Sequence, residues 1–368
     1  MRVQPELSEG SLLPVRRRES IEENFSDVEV LTFTRLQAEM LENSATEIAK
    51  NGGPQAAGTQ SMARASATAI CETLDASQTA AAKRFADGEL SLLIFEGMLD
   101  PTVGDLPAEL PELSLLQEDF HCLRLASRSQ ILLNLVEHRA FAFDLDSNEL
   151  VRMVGNFKGG GKTKLTEEPD LGALELSSHT GLALSAHTEP PYHCSFSPSG
   201  SHSPAPCALV LTARWNPKSE PTAILPMHRV IERIGAHHAL ALTAKVFQFT
   251  RTDSFAADKG EAGADVSILE IDGKGTFSLR YNSYRFSVSE EAPPPIKNAF
   301  QVLTDEVRRT DMVRLALQPS KAIVINNHKA LHCRDEIEDN RRLLIRMFGY
   351  SPAAQEIVLS DDPLLVQG

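Results

Sequence analysis

The chain has 368 residues, of which 42% are hydrophobic and 23% are charged, and its formal net charge is −14. This composition is typical of a globular protein with a substantial core, and the negative charge argues against a nucleic-acid partner, which requires a basic surface. No apolar run is long enough to cross a bilayer, and residues 1–7 lack the apolar stretch of a secretory signal. The five cysteines show no CxxC spacing, which indicates reduced thiols. We therefore expect a cytoplasmic protein.

The amino-terminal part of the chain is predicted to be mostly helical. Residues 1–25 are polar and unpatterned, so we expect a flexible tail there. Apolar residues recur near helical spacing in the next two stretches, which are separated by the breaker Asn51-Gly-Gly-Pro54. The predicted elements are helices at 33–50 and 65–85, a buried strand at 90–95, a helix within 113–142 and strand character over 141–154.

From about residue 170 the pattern changes to short apolar runs separated by Pro, Gly, Ser and Asp. This spacing predicts the many short strands of a β-sandwich or jelly roll. The expected strands are 181–185, 207–212, 222–226, 245–249, 266–271, 276–281, 321–326 and 343–350, with a helical insert at about 294–317. We expect one catalytic domain over 26–368, in which 26–150 is mostly helical support and 151–350 is the core.

Residues 155–163 approximate the phosphate-binding pattern G-x-x-x-x-G-K-[ST], which ends here at Gly161, Lys162 and Thr163. The pattern requires glycine at position 156, where this chain has Asn156. Residues 166–170 also fail to begin a convincing helix. A glycine-rich turn is therefore expected, and a nucleotide site is not.

A different motif carries metal chemistry. In His187-Thr188-Glu189, an imidazole and a carboxylate would lie on the same side of an extended strand, because side chains there repeat every two residues. A second histidine from a distant strand, His332, would complete two nitrogens and one oxygen. That set is the facial triad of non-haem Fe(II) oxygenases, which leaves coordination positions open. Because eleven histidines are present, His-x-Glu alone is a weak signal.

The residues after His332 strengthen this hypothesis. Arg342 and Arg346 lie in an otherwise apolar run, where strand alternation would put both on one face. An arginine that points into a core needs an anionic partner, and its guanidinium suits a carboxylate. The free carboxylate of 2-oxoglutarate is such a partner.

With these flanks the chain resembles the Fe(II)/2-oxoglutarate-dependent dioxygenases of the taurine dioxygenase superfamily, most closely the clavaminate synthase-like branch. That branch includes asparagine and arginine hydroxylases. Some positions depart from the family pattern, which often has Asp-Asn where this chain has Asn326-Asn327 and usually has glycine in place of Cys333. The family's Arg-Trp-Leu-x-Arg is here Arg342-Leu-Leu-Ile-Arg346. The resemblance covers about residues 90–350 and is carried by 184–193, 208–214, 221–225, 279–282, 317–334 and 342–346.

The resemblance implies an α+β fold with a double-stranded β-helix (jelly-roll) core and flanking helices. It implies that His187, Glu189 and His332 are the iron ligands. It further assigns Arg342 and Thr222 to 2-oxoglutarate. The substrate would be bound by Arg346, Ser177 and Asn282.

The implied function is hydroxylation of an unactivated C–H bond in a free amino acid or a similar zwitterionic metabolite of specialised metabolism. Fe(II), 2-oxoglutarate and O₂ would be required, and succinate and CO₂ released. Glu189 argues against halogenation, because halogenases of this type have a small residue there. Desaturation or ring formation stays open, as does a zinc hydrolase or a non-catalytic jelly-roll binding protein.

Some assignments stay open at this point. His193 and His328 are alternative ligands, and the Ser/Pro-rich segment 196–206 is a hypothetical lid. Neither the substrate nor the oligomeric state follows from the sequence.

Overall fold

The computed structural model describes residues 25–100, 105–146, 148–162, 176–252, 255, 260–271 and 276–368. These residues form seven helices and eighteen strands, so the fold mixes α and β structure, as predicted. The helices are α1 (Arg35–Lys50), α2 (Thr59–Cys71), α3 (Ala76–Ala86), α4 (Leu113–Glu118), α5 (Phe120–Leu135), α6 (His228–Ala241) and α7 (Pro294–Arg309). The predicted tail lies outside the described residues apart from Phe25.

Most strands belong to a nine-stranded and a four-stranded sheet. The first nine strands are β1 (Val28–Thr32), β2 (Leu92–Glu96), β3 (Arg139–Phe143), β4 (Arg152–Gly155), β5 (Leu184–His187), β6 (Ala208–Trp215), β7 (Pro221–Pro226), β8 (Phe247–Phe249) and β9 (Gly263–Val266). The others are β10 (Leu269–Ile271), β11 (Phe277–Leu279), β12 (Phe286–Val288), β13 (Val313–Ala316), β14 (Ala322–Asn326), β15 (Ala330–Arg334), β16 (Leu343–Tyr350), β17 (Val358–Asp361) and β18 (Leu364–Val366).

The nine-stranded sheet has the order β1-β2-β14-β6-β16-β3-β18-β17, with β4 added to β16. The four-stranded sheet has the order β13-β7-β15-β5, and it faces the larger sheet across a layer of buried apolar side chains. Because side chains alternate along a strand, Leu209 and Leu211 of β6 enter this layer while Ala208 and Val210 pack on the opposite face. Two buried faces explain why β6 begins with a continuous apolar run over 208–211.

The amino-terminal helices cover the outer face of the nine-stranded sheet through a second apolar cluster. Helix α1 begins at Thr34, whose side chain forms a capping box with Gln37. The single helix predicted over 65–85 is wrong, because the structure has two helices, α2 and α3. Asp75 and Gln78 form a second capping box that starts α3 anew.

The outer face of the four-stranded sheet is covered by α6, α7 and two small sheets, β12-β8-β9 and β10-β11. The predicted insert over 294–317 is helical only as far as Arg309. The prediction is wrong for the remaining residues, 310–317, which contain a strand. Val313 and Leu315 of β13 are buried, and β13 pairs with β7.

Two expectations from composition can be compared with the fold. All five cysteines are free thiols, and Cys122, Cys194 and Cys207 are buried. Among the described helices, none combines the length and the apolar character that a bilayer span demands.

Candidate metal centre

The three predicted metal ligands meet in one place. His187 ends β5 and is directly paired with His332 on the antiparallel strand β15, and the centroids of the two rings are 4.3 Å apart. Glu189 lies two residues further along the chain. One ligand atom from each side chain lies within 4.8 Å of the others, and all three residues line one cavity.

Hydrogen bonds fix the orientation of these side chains. His187 Nδ1 lies 2.6 Å from the carbonyl oxygen of Ser185. Since a carbonyl only accepts, Nδ1 carries the proton and Nε2 is left to bind a metal. His332 Nε2 lies 3.3 Å from Glu189 Oε1. Two imidazole nitrogens and one carboxylate oxygen are the donor set that suits non-haem Fe(II).

The charges at this cluster favour the forms that bind metals. Burial, with the neighbouring His332, lowers the pKa of His187 to about 4, which keeps its imidazole neutral. Burial alone would raise the pKa of Glu189, but Arg346, His332 and His187 hold it below its ordinary value. A neutral imidazole beside an ionised carboxylate needs no proton loss before it binds a cation.

Arg346 lies beside the cluster at the centre of a buried chain of charges. Its Nη1 donates to Glu189 Oε1 at 2.8 Å, and its Nη2 lies 3.3 Å from Asp146 Oδ2. Asp146 also accepts a 3.1 Å bond from Arg152, whose Nε donates to Ser178 Oγ. Sequence reasoning missed Asp146 and Arg152. The pairing of Arg152 with Arg346 across β4 and β16 brings Arg152 to the cavity, and both arginines pair with Asp146 there.

Arg342, which directly precedes β16, and Thr222 of β7 also line the cavity. Arg342 Nη2 lies 3.3 Å from Thr222 Oγ1, and the guanidinium is almost fully buried. Its Nε and Nη1 have no hydrogen-bond partner among the described residues. Burial lowers the pKa of Arg342 to about 10, and the carboxylate of Glu220 opposes this effect. An unsatisfied buried cation is costly, so this arrangement suits an anionic ligand.

Ser177 and Asn282 line the same cavity, as the resemblance implied. Ser177 Oγ accepts from the amide of His179 at 3.3 Å. The side chain of Asn282 is already engaged, because its Oδ1 accepts from two backbone amides and its Nδ2 donates to the Tyr192 hydroxyl at 3.2 Å. In this structure Asn282 shapes the cavity wall.

The glycine-rich residues 155–161 support this wall. Gly181 packs so closely that a Cβ there would lie 2.2 Å from the carbonyl oxygen of Gly160. Asn156, the residue that breaks the phosphate-loop pattern, donates to the carbonyl of Gly160 at 2.8 Å and to Asn340 at 2.7 Å. Its amide therefore closes the turn.

The alternative ligands lie apart from the cluster. The ring of His193 stacks on His202 at a centroid distance of 3.9 Å, and the ring of His328 packs on Phe196 at 4.7 Å. Neither belongs to the cluster around His332. No residue of the hypothetical lid, 196–206, lines the cavity.

Comparison with solved structures places this site in a known fold. A complex of asparagine oxygenase with Fe(II), 2S,3S-3-hydroxyasparagine and succinate matches with a TM-score of 0.65 and 18% identity, covering 87% of this chain and 92% of that one. Another structure of asparagine oxygenase (AsnO) matches with a TM-score of 0.66 and 16% identity, covering 92% and 98%. OrfP, a non-haem iron oxygenase in complex with Fe, succinate and (3S)-hydroxy-L-Arg, matches with a TM-score of 0.63 and 15% identity. The match covers 88% of this chain and 94% of that one.

The chain shares the fold of these oxygenases. The mixed α and β architecture is thus confirmed, although the sequences have diverged widely. No family model and no curated sequence matches the chain. Its activity has to be argued from its own residues.

Proposed function

We propose that this protein is an Fe(II)- and 2-oxoglutarate-dependent oxygenase that hydroxylates a free amino acid or a similar small zwitterionic metabolite. One observation carries the proposal: the His187, Glu189 and His332 cluster opens into a cavity that also holds the buried guanidinium of Arg342. We propose one catalytic domain over 26–368, with the two facing sheets as its double-stranded β-helix, or jelly roll. A cytoplasmic location fits best with the proposed use of 2-oxoglutarate and with the five free thiols.

His187, Glu189 and His332 are proposed to hold the iron, since this donor set leaves coordination positions for other ligands. The bound iron would supply the oxidising chemistry, in which 2-oxoglutarate and O₂ are consumed and succinate and CO₂ are released. The protein holds the metal and keeps its ligands in the required protonation states. Glu189 occupies the position that a halide would need, which supports hydroxylation over halogenation.

Arg342 and Thr222 are proposed to bind the distal carboxylate of 2-oxoglutarate. The unpaired Nε and Nη1 of Arg342 can donate to a carboxylate, and the hydroxyl of Thr222 can add a further bond. Succinate, which 2-oxoglutarate becomes when it loses CO₂ and gains one oxygen atom from O₂, is present in the asparagine oxygenase and OrfP complexes compared above.

Arg346, Ser177 and Asn282 are proposed to contact the substrate. Arg346 places a guanidinium next to the carboxylates of Asp146 and Glu189, so the cavity offers partners for both charges of a zwitterion. The similar structures contain hydroxyasparagine and hydroxyarginine, which supports a free amino acid as the substrate class for this chain.

The test is succinate formation by protein purified and loaded with Fe(II) without oxygen, then screened with free amino acids. We expect one of them to stimulate succinate release and to gain one oxygen atom by mass. His187→Ala should abolish turnover and lower bound iron, while His193→Ala, which alters a histidine outside the cluster, should retain iron. A product that has lost two hydrogens would indicate desaturation or ring formation instead. Bound zinc without affinity for 2-oxoglutarate would contradict the proposal and favour a hydrolase or a binding protein.

A further inference from the structure

Arg334 ends β15 two residues after His332, and its buried guanidinium fixes part of the cavity wall. Its Nη2 lies 3.3 Å from the carbonyl oxygen of Ser177 and 3.2 Å from that of Leu182, and it also donates to the carbonyl of Thr180. Its Nε lies 3.3 Å from Leu182 O. One side chain therefore ties the segment 177–182 to the strand of a proposed metal ligand.

These bonds leave Arg334 Nη1 buried without a hydrogen-bond partner among the described residues. Nη1 is a strong donor, and leaving a buried donor unpaired costs free energy. Because Arg334 lines the same cavity as Arg342, two guanidiniums with unpaired N–H groups belong to one enclosed space.

Arg334 is affected by Arg342, and both are affected by the same carboxylate. In the described part of the chain, Glu220 is the carboxylate that stabilises both guanidiniums, while Arg342 acts unfavourably on Arg334. Glu220 is itself held by the backbone amides of Glu338 at 3.0 Å and Asp339 at 2.9 Å. Both guanidiniums are buried and keep unpaired N–H groups, so an anion in the cavity would stabilise them.

We propose that Arg334 is a second cation of the cosubstrate carboxylate site, beside Arg342, and that it couples this site to the segment 177–182. The inference rests on the proposed function. A carboxylate has acceptor capacity for both guanidiniums. Bound 2-oxoglutarate would hold Arg334 in place, and the carbonyl bonds of Arg334 would hold the segment that carries Ser177. Substrate would then bind more tightly after 2-oxoglutarate, and by linkage the reverse would also hold.

A purely structural Arg334 would give different results. In that case the guanidinium would fix the segment 177–182 whether or not an anion is present. Its removal would then weaken the binding of every ligand in the cavity by the same factor. Comparison of 2-oxoglutarate with 2-oxobutyrate, which lacks the distal carboxylate, separates the two roles.

The experiment measures binding of both oxoacids to Fe(II)-loaded protein without oxygen, in the wild type and in Arg334→Gln. We expect the variant to bind 2-oxoglutarate about tenfold or more weakly, as the loss of a charged hydrogen bond predicts, and to bind 2-oxobutyrate within about twofold of the wild type. Arg314→Gln is the matched control, because it removes an exposed arginine that pairs with exposed Asp335. Equal weakening of both oxoacids would overturn the proposal.

Hydrogen exchange supplies a second readout that does not depend on turnover. We expect 2-oxoglutarate to slow amide exchange in 177–182 several-fold in the wild type and to have no effect there in Arg334→Gln. Should that variant fail to fold, Arg334→Lys keeps the charge but cannot serve the carbonyls and an anion together. If 2-oxoglutarate binds the wild type but leaves its amide exchange in 177–182 unchanged, the coupling is contradicted and the proposed function is not. If the wild type binds no 2-oxoglutarate, the proposed function is contradicted as well.

Discussion

The side-chain amide of Asn327 bonds to the backbone of Glu189 on both sides of that residue. Asn327 Oδ1 accepts from the Glu189 amide at 2.7 Å, and Asn327 Nδ2 donates to the Glu189 carbonyl at 3.2 Å. The same Nδ2 donates to the carbonyl of Pro206 at 3.0 Å. Because Asn327 lies in the turn that leads from β14 to β15, it joins the start of the strand that carries His332 to the His-x-Glu motif. The geometry of the cluster thus depends on a residue that is not itself a ligand.

Asn327→Ala should weaken metal binding by about tenfold or more, the usual cost of losing an outer contact that orients a ligand. It should also lower the free energy of unfolding by roughly 1–3 kcal/mol, because two buried backbone groups of Glu189 lose their partner. Metal titration and urea unfolding measure the two effects. Asn326→Ala is the matched control, since the Asn326 amide bonds to the carbonyl of Leu90 and the amide of His328. Equal metal affinities in the two variants would show that Asn327 has no orienting role.

Arg342→Gln should raise the KM for 2-oxoglutarate by roughly 10- to 100-fold, the range expected when a charged hydrogen bond is lost. Thr222→Val should have a smaller effect of a few fold, since it removes a neutral hydroxyl. The measurement is the rate of succinate formation as a function of 2-oxoglutarate concentration. Arg341→Gln serves as the control, because the Arg341 side chain pairs with Asp339. An equal change of the KM for 2-oxoglutarate in the two arginine variants would show that Arg342 does not bind the cosubstrate.

Asp146→Asn should affect substrate binding and stability together. The neutral amide would leave the guanidiniums of Arg152 and Arg346 without the carboxylate that they share, at a cost of roughly 3 kcal/mol in the free energy of unfolding. Since Arg346 would lose one of its two anchors, we expect the substrate KM to rise about tenfold. The KM for 2-oxoglutarate should change less than about twofold, because Asp146 does not contact Arg342. Steady-state kinetics, with the substrate and 2-oxoglutarate varied in turn, measures both KM values. A larger change in the KM for 2-oxoglutarate than in that for the substrate would contradict the assignment of Asp146 and Arg346 to the substrate.

The parts of the site that sequence could predict follow from short-range rules. Two-residue alternation predicted that His187 and Glu189 face one side and that Arg342 and Arg346 share a face. All four line the cavity, although Glu189 lies just after β5 and Arg342 just before β16. The proposed role of His332 came from the family resemblance, since no local pattern reveals that β15 pairs with β5 in the register that places His332 opposite His187.

The residues that sequence reasoning missed depend on long-range geometry. Arg152 reaches the cavity through the register between β4 and β16, and Asp146 lies beyond the end of β3, where it pairs with Arg152 and Arg346. The role of Arg334 depends on the backbone course of 177–182, where three carbonyls converge on it. For the same reason the predicted helix over 294–317 was too long, because pairing of β13 with β7 overrides local helical spacing.

Stability should fall with acid because of buried His138, which lies between α5 and β3. Burial lowers its pKa to about 4 from an ordinary value of 6.5, although the bond from Nδ1 to the carbonyl of Val136 at 2.7 Å opposes this shift. The folded protein therefore keeps His138 neutral at a pH where the unfolded chain takes up a proton. Its contribution is fully present above about pH 6.5 and is lost as the pH falls towards about 4, by up to about 3 kcal/mol.

His138→Asn retains a side-chain donor for Val136 but has no group that titrates in this range. It should be less stable than the wild type at pH 7, because it leaves space beside Phe85, whose ring centroid is 5.7 Å from that of His138. The difference between the two free energies of unfolding should shrink as the pH falls from about 6.5 to about 4. Urea unfolding at a series of pH values measures it, and a difference that stays constant across that range would mean that His138 is not held neutral by the fold.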